Sequence, residues 1–372
     1  MKFVRLVLAL ATGMLIALGC TQPGSRPEAQ GVAGGPRFAV DPFWPKPLKD
    51  NWIFGQVSGI AVDSRDHVWI THRPRTLLDD EKGAQKSPPA TRCCAAPPAV
   101  MEFDPQGNLV NAWGGPGKGY DWPANEHGVY VDTDGFVWVS GNGATDRHIL
   151  KFTREGKFLM QIGTPGKPEG SNSPTQLGRP AQSVVDTAAS EIYVADGYGN
   201  RRIVVFDTKT GAYKRHWGAY GAKPHDDKLS PYDPDAAPSR SFSSPVHCVR
   251  LSRDGLVYVC DRANDRIQIF RKDGNFVTEF KVEAQTLQNG SVWDLTLSPD
   301  AEQRYIYVAD GANGVVHILS RRDGKKLGEF GRTGRYAGEF KWIHNIDADS
   351  KGNLYTAEVG FGRRIQKFNK VD

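Results

Sequence analysis

No block of lysine or arginine interrupts the 372 residues; 47 basic and 42 acidic side chains are intermixed and leave a net charge of +5. That balance is too small and too mixed in sign for the basic face that nucleic-acid binding requires. The apolar stretch at residues 6–18 is too short to cross a bilayer comfortably. Cysteine is scarce, five in all, and its spacing shows no disulfide framework of the kind that staples small domains. Turn formers, by contrast, abound. The 41 glycines and 24 prolines make about 17% of the chain against about 12% in ordinary globular proteins. Such a sequence argues against a helical bundle. With 39% hydrophobic residues, 10% aromatics and many aromatics in short alternating runs, it reads as a soluble all-β chain long enough to bury a large core.

Residues 1–19 read as a signal peptide: Lys2 and Arg5 supply the positive start, residues 6–18 the apolar stretch, and Ala17-Leu18-Gly19 a small-residue cleavage region. The stretch from Ala17 to Cys20 resembles a bacterial lipoprotein signal, in which the cysteine becomes the lipidated first mature residue. Leucine is more usual where Ala17 stands, and ordinary secretion with cleavage near Gly19 is the alternative. Residues 20–35, polar and rich in Gly, Pro and Ser, form a flexible tether. Either way the expectation is an exported protein of the periplasm or cell surface; in the lipoprotein reading it touches the membrane only through a lipid on Cys20. Export permits disulfides. The adjacent Cys93 and Cys94 suit a vicinal disulfide, a metal contact or two free thiols. Cys248 and Cys260 fall on neighbouring strands, but a plain hairpin register points them to opposite faces, against a bridge.

One unit recurs six times over residues 36–372. It opens with a short apolar strand, turns at Asp-Gly or similar, and continues with an aromatic-rich strand. A third strand of the form RIxxF follows, then a last one often ending in Trp-Gly or Phe-Gly. The third copy covers 181–186, 191–196, 202–206 and 212–218; the fourth covers 246–251, 256–261, 266–270 and 275–280. The others start near Gln56, Glu126, Ser291 and Trp342. A four-stranded unit of this kind cannot bury both faces alone, but six arranged radially can. The sixth copy stops after three strands, and a loose strand at 37–40 precedes the first. The pattern predicts a six-bladed β-propeller, its ring closed by the N-terminal strand as the outer edge of the last blade. Inserts at 76–98 and 221–241 would wall a site on one face.

In a propeller the first strand of each blade lines the axis. Aligning the six first strands puts Ser58, His127, Ala181, His247, Trp293 and His344 at one height. The three histidines occupy alternate blades, about 120° apart in a closed six-fold ring. Three imidazoles so placed suit a metal with an open coordination position, the arrangement of catalytic zinc. His67, His72, His148, His216, His225 and His317 show no such pattern and are expected at the surface or at strand edges. Asp196, Asp261 and Asp310 recur after the second strands and read as turn-fixing residues.

The runs QVSGIAVD…THR, HGVYVDTDGFVWVS, IYVADGYGNRRIVVF, VYVCDRANDRIQIF and IHNIDADSKGNLYTAE resemble NHL-repeat propellers. More specifically, they resemble the peptidyl-α-hydroxyglycine α-amidating lyase domain over nearly all of residues 36–372. The resemblance implies zinc on His127, His247 and His344, with a catalytic Tyr198 in DGYGNRR, Arg73 in THR and Arg262 in CDRANDR. It also implies a structural calcium held by the carbonyls of Ile60 and Val129 and the side chain of Asn345. The chain departs from the family in carrying Asn345 for an aspartate, which removes one charge. Glu126, Val246 and Ile343 replace the proline usual before each axial histidine, the family's disulfide cysteines have no equivalents, and no copper-dependent hydroxylase domain is read in these residues.

The expected reaction breaks the N–C bond of a carbinolamide, which needs the hydroxyl deprotonated while nitrogen leaves. Zinc would acidify the hydroxyl, Tyr198 would accept its proton if zinc and arginine lower its own pKa, and Arg73 and Arg262 would bind a substrate carboxylate. The expected partner is a small-molecule or peptide-derived substrate, and the expected state a monomer. A non-catalytic propeller that binds a protein, peptide or glycan is the competing reading. Hydrolysis of a lactone or ester by metal-bound water ranks lower, because calcium-dependent propeller hydrolases rely on Asp, Asn and Glu around the axis.

Overall fold

The computed structural model describes residues 34–371. Its strands form six four-stranded antiparallel sheets, each in chain order from the axis outwards except the last. The inner strands are Gln56–Val62, Glu126–Val131, Gln182–Asp186, Val246–Leu251, Asp294–Leu297 and Ile343–Ala348, here blades 1 to 6. Blade 6 is completed by Phe38–Asp41, which pairs antiparallel with Ile365–Lys370 in the register Phe38 to Lys370. The ring is therefore closed by the N-terminal strand, as the repeat arithmetic predicts.

The physical reason for the ring is visible in the packing. Six apolar clusters are buried, and each spans one interface between neighbouring blades. The hairpins between first and second strands are pinned by a recurring aspartate. Asp63, Asp132 and Asp349 accept bonds from backbone N–H groups of their turns and from Trp69, Trp138 and Tyr355, at 3.0, 2.9 and 3.1 Å. The turn after Asp132 needs a left-handed residue, and Gly135 supplies it at φ +85°.

The inner strands are not regular. In blades 1, 2, 4 and 6 the pairing with the second strand slips by one residue, leaving Ser58, His127, His247 and His344 as the extra residue of a bulge. A bulge bends the strand and re-aims the extra side chain. In blade 4 it also overturns the expectation about the cysteines. The slip at His247 shifts Cys248 into direct register with Cys260, and the two are joined by a disulfide across a Cα separation of 4.8 Å. Cys93 and Cys94 are joined as a vicinal disulfide. The expected signal peptide and the lipidation site Cys20 lie outside the described residues.

Candidate metal centre and active site

The three bulges bring His127, His247 and His344 together on the axis. One ligand nitrogen from each lies within 4.8 Å of the others, and the rings are 4.7–5.1 Å apart between centroids in edge-on contacts. Each ring is steadied from behind. The Nδ1 of His127 donates to the Ala181 carbonyl at 2.8 Å, that of His247 to the Trp293 carbonyl, and that of His344 to Asn345 Oδ1 at 2.5 Å. Two of those carbonyls belong to the residues at the same height on the intervening blades. Nδ1–H donation fixes the tautomer and leaves the Nε2 lone pair free. Burial holds His127 and His247 well below the ordinary imidazole value and takes His344 to about 3, so all three are neutral at physiological pH. Neutral, convergent and pre-oriented imidazoles fit a divalent transition-metal ion.

Tyr198, in the turn after Glu191–Asp196 of blade 3, places its hydroxyl 3.0 Å from His127 Nε2 and 3.1 Å from His247 Nε2. Arg262 follows the second strand of blade 4, reaches the Tyr198 hydroxyl at 3.5 Å and lies over the Trp293 ring at 4.4 Å. Its Nε is buried without a partner. Arg73 ends the second strand of blade 1; its Nε donates to the Glu126 carbonyl and its Nη1 to Gln56 Oε1, both at 2.8 Å. Burial lowers Arg73 to about 10, still charged at neutral pH, and lowers Arg262 as well. Neither guanidinium is ion-paired with a carboxylate among the described residues. Two buried cations without counter-charges are an anion site by default.

The aspartates set aside as turn-fixing are so placed. Asp196 binds Asn200 and the buried Arg202 at 2.7 and 2.9 Å, and Asp261 binds Asn264 and Arg266 at 2.8 and 2.7 Å. Asp261 thus pairs with Arg266 and leaves Arg262 to turn inwards. Both inserts join the ring at the end where the inner strands begin, the end that carries the histidines. Glu81 of the first is ion-paired with Arg363 at 2.6 Å.

Three features escape a reading of the sequence. Arg179, a loop residue at φ +62°, lies with its guanidinium 5.8 Å from the Tyr198 ring. His72, His148 and His317, expected at the surface or strand edges, are buried, each bonded by Nε2 to Pro98 O, Asp121 O and Asp310 Oδ2 respectively. The side chain expected to ligate calcium is already engaged: the Asn345 oxygen accepts from His344 Nδ1, and Asn345 Nδ2 donates to Asp294 Oδ2 at 3.0 Å.

Fold and site together define a six-bladed propeller with a three-histidine centre on its axis. No family model matches the chain. It is similar to NHL repeat-containing protein 3 of Mus musculus, 26% identical over 346 residues, covering 90% of this chain and 84% of that protein. It is also similar to peptidyl-glycine alpha-amidating monooxygenase of Mus musculus, 28% identical over 288 residues, covering 75% of this chain but only 27% of that protein. Peptidyl-alpha-hydroxyglycine alpha-amidating lyase 1 of Drosophila melanogaster is 24% identical, with 87% of this chain and 58% of the relative covered. Among solved structures, a streptogramin B lyase superposes with a TM-score of 0.54 at 14% identity, over 89% of this chain and 97% of the other. A catalytically inactive virginiamycin B lyase from Staphylococcus aureus, bound to quinupristin, gives 0.51 at 16% over 89% and 88%. These two share the fold. The sequence relatives are an NHL-repeat protein, an alpha-amidating monooxygenase and an alpha-amidating lyase.

Proposed function

We propose that the chain is an exported, zinc-dependent carbon–nitrogen lyase acting on carbinolamides of the peptidyl-α-hydroxyglycine type. The supporting observation is the convergence, at one mouth of the channel, of three neutral imidazoles, the Tyr198 hydroxyl and two buried, carboxylate-free guanidinium groups. Kinship with amidating lyases supports the choice of reaction. Zinc held by His127, His247 and His344 would supply a Lewis acid that acidifies the substrate hydroxyl.

The remaining chemistry belongs to the chain's own residues. Tyr198 accepts the hydroxyl proton; the C–N bond breaks as the C=O bond forms, and the proton is returned to the departing amide nitrogen. The products are an amide and a glyoxylate-type aldehyde. Arg262, beside the phenolic oxygen, stabilises negative charge there, and with Arg73 it binds the substrate carboxylate. Cys20 carries the lipid that anchors the chain at the cell envelope, the substrate is small or peptide-derived, and the protein acts as a monomer.

Elemental mass spectrometry of the chain beside His247→Ala tests the metal, with about one zinc per chain expected and lost in the variant. A peptidyl-α-hydroxyglycine probe should then yield glyoxylate. Tyr198→Phe should lose more than 100-fold in turnover while keeping its zinc; full activity in that variant removes the tyrosine from the mechanism. A second reading rests on the match to NHL repeat-containing protein 3, whose name states no activity. Absence of zinc from a folded protein offered the metal would favour that reading, a propeller that binds peptide, protein or glycan.

A further inference from the structure

One layer beneath the histidines, the channel holds a buried ion network that the chemistry above does not use. Counting two residues on from each axial position aligns Ile60, Val129, Leu295 and Ile346 on blades 1, 2, 5 and 6. The resemblance would give a calcium ion the carbonyls of the first two. The carbonyls of the other two are occupied. Arg250 of blade 4 donates from Nε to Leu295 O and from Nη2 to Ile346 O, both at 2.9 Å. The same guanidinium is 3.2 Å from Asp294 and 3.7 Å from Asp347.

The missing charge of Asn345 also reappears. Asp294 stands on blade 5 at the height that Asn345 holds on blade 6. Its buried carboxylate accepts from Gln182 Nε2, Asn345 Nδ2, Ile346 N, Leu295 N and Arg250 Nη2 at 2.8–3.2 Å. Blades 3 to 6 are thus tied through one carboxylate and one guanidinium. A cation introduced here would have to displace the Arg250 guanidinium from Asp294 and Asp347, and would meet oxygens of Leu295, Ile346 and Asp294 already bonded to donors.

We propose that Arg250 is a built-in substitute for the structural metal ion, so that this propeller holds its axis together without calcium. The fork of a guanidinium can bind two carbonyls and a carboxylate at once, which is the work a hard cation does with oxygen ligands.

The test titrates calcium chloride into the full chain and compares thermal unfolding in EGTA and in millimolar calcium. No bound calcium and a Tm that moves by less than about 1 °C, within ordinary scan reproducibility, is the expected result. One calcium per chain, with a Tm that falls several degrees on chelation, overturns the proposal. Arg250→Met, which vacates the layer beside Asp294 and Asp347, should melt lower and regain stability in calcium. A folded methionine variant indifferent to calcium would show that Arg250 is not what excludes the ion. If that variant does not fold, Arg250→Lys decides: it keeps the charge and should remain indifferent to calcium, and calcium dependence there also overturns the idea. None of these readouts involves turnover or zinc.

Discussion

A half-buried arginine beside the tyrosine proposed as the base suits the binding of an anionic substrate. Arg179 spends its Nε on the Asn142 carbonyl at 2.9 Å and brings its charge close to the Tyr198 ring. Arg179→Ala should therefore raise KM for an anionic substrate about tenfold, the effect of one charge-assisted bond, with little change in kcat. Steady-state kinetics on a carboxylate substrate and its carboxamide analogue check this, since the analogue should not respond. His72 makes a different prediction. Its Nδ1 accepts from Gly55 N–H at 3.3 Å, its Nε2 is bonded to Pro98 O, and burial lowers it from 6.5 to about 4. Between those values the unfolded chain holds the extra proton, so stability rises with pH across the window and is lost as pH falls through it. The loss amounts to about 3 kcal/mol at pH 4. Urea midpoints from pH 7 down to 4.5 should fall less steeply in His72→Gln. At this scale the histidine triad is legible in the sequence because three inner strands repeat one pattern and place their imidazoles at one height. Arg179 and Arg250 are not. The first sits on a loop outside the repeat. The second lies further along a strand, where alternation alone does not say which side chain reaches the axis.

Among the elements, the inner strands carry most of the functional information, and they carry it in their irregularities. Each axial histidine is the residue by which its hairpin departs from regular pairing. An alternating pattern gives no sign of an extra residue, which is why the strands can be read from the repeat while the cysteine pairing is misread from it. The disulfide that results ties the strand of His247 to the strand that leads into Arg262, so it braces two walls of the site at once. Replacing both Cys248 and Cys260 with alanine opens a loop of sequence separation 12 and should cost about 2–3 kcal/mol in a chemical unfolding experiment. Zinc content should fall with it if the brace holds His247 in place. Full stability and full zinc in the double variant would show that the bond is incidental.

For the molecule as a whole, closure is the decisive contact. Phe38 is buried against Phe330 and Tyr307, with ring centroids 5.1 and 5.4 Å apart, and its strand covers the edge of Ile365–Lys370. Removing residues 1–41 bares that edge together with an apolar face. The expected outcome is a lower Tm and association through the open strand, seen by size-exclusion chromatography; an unchanged monomer would contradict the account of closure. The ring also orders events in time. Of the described strands a ribosome makes Phe38–Asp41 first, yet its partner Ile365–Lys370 emerges only after all the others. His127 and His247 are in place long before His344 exists. A nascent chain can therefore build five blades and still offer only two of the three axial imidazoles. The complete triad that the proposed metal would need thus exists only once the sixth inner strand, Ile343–Ala348, has been made.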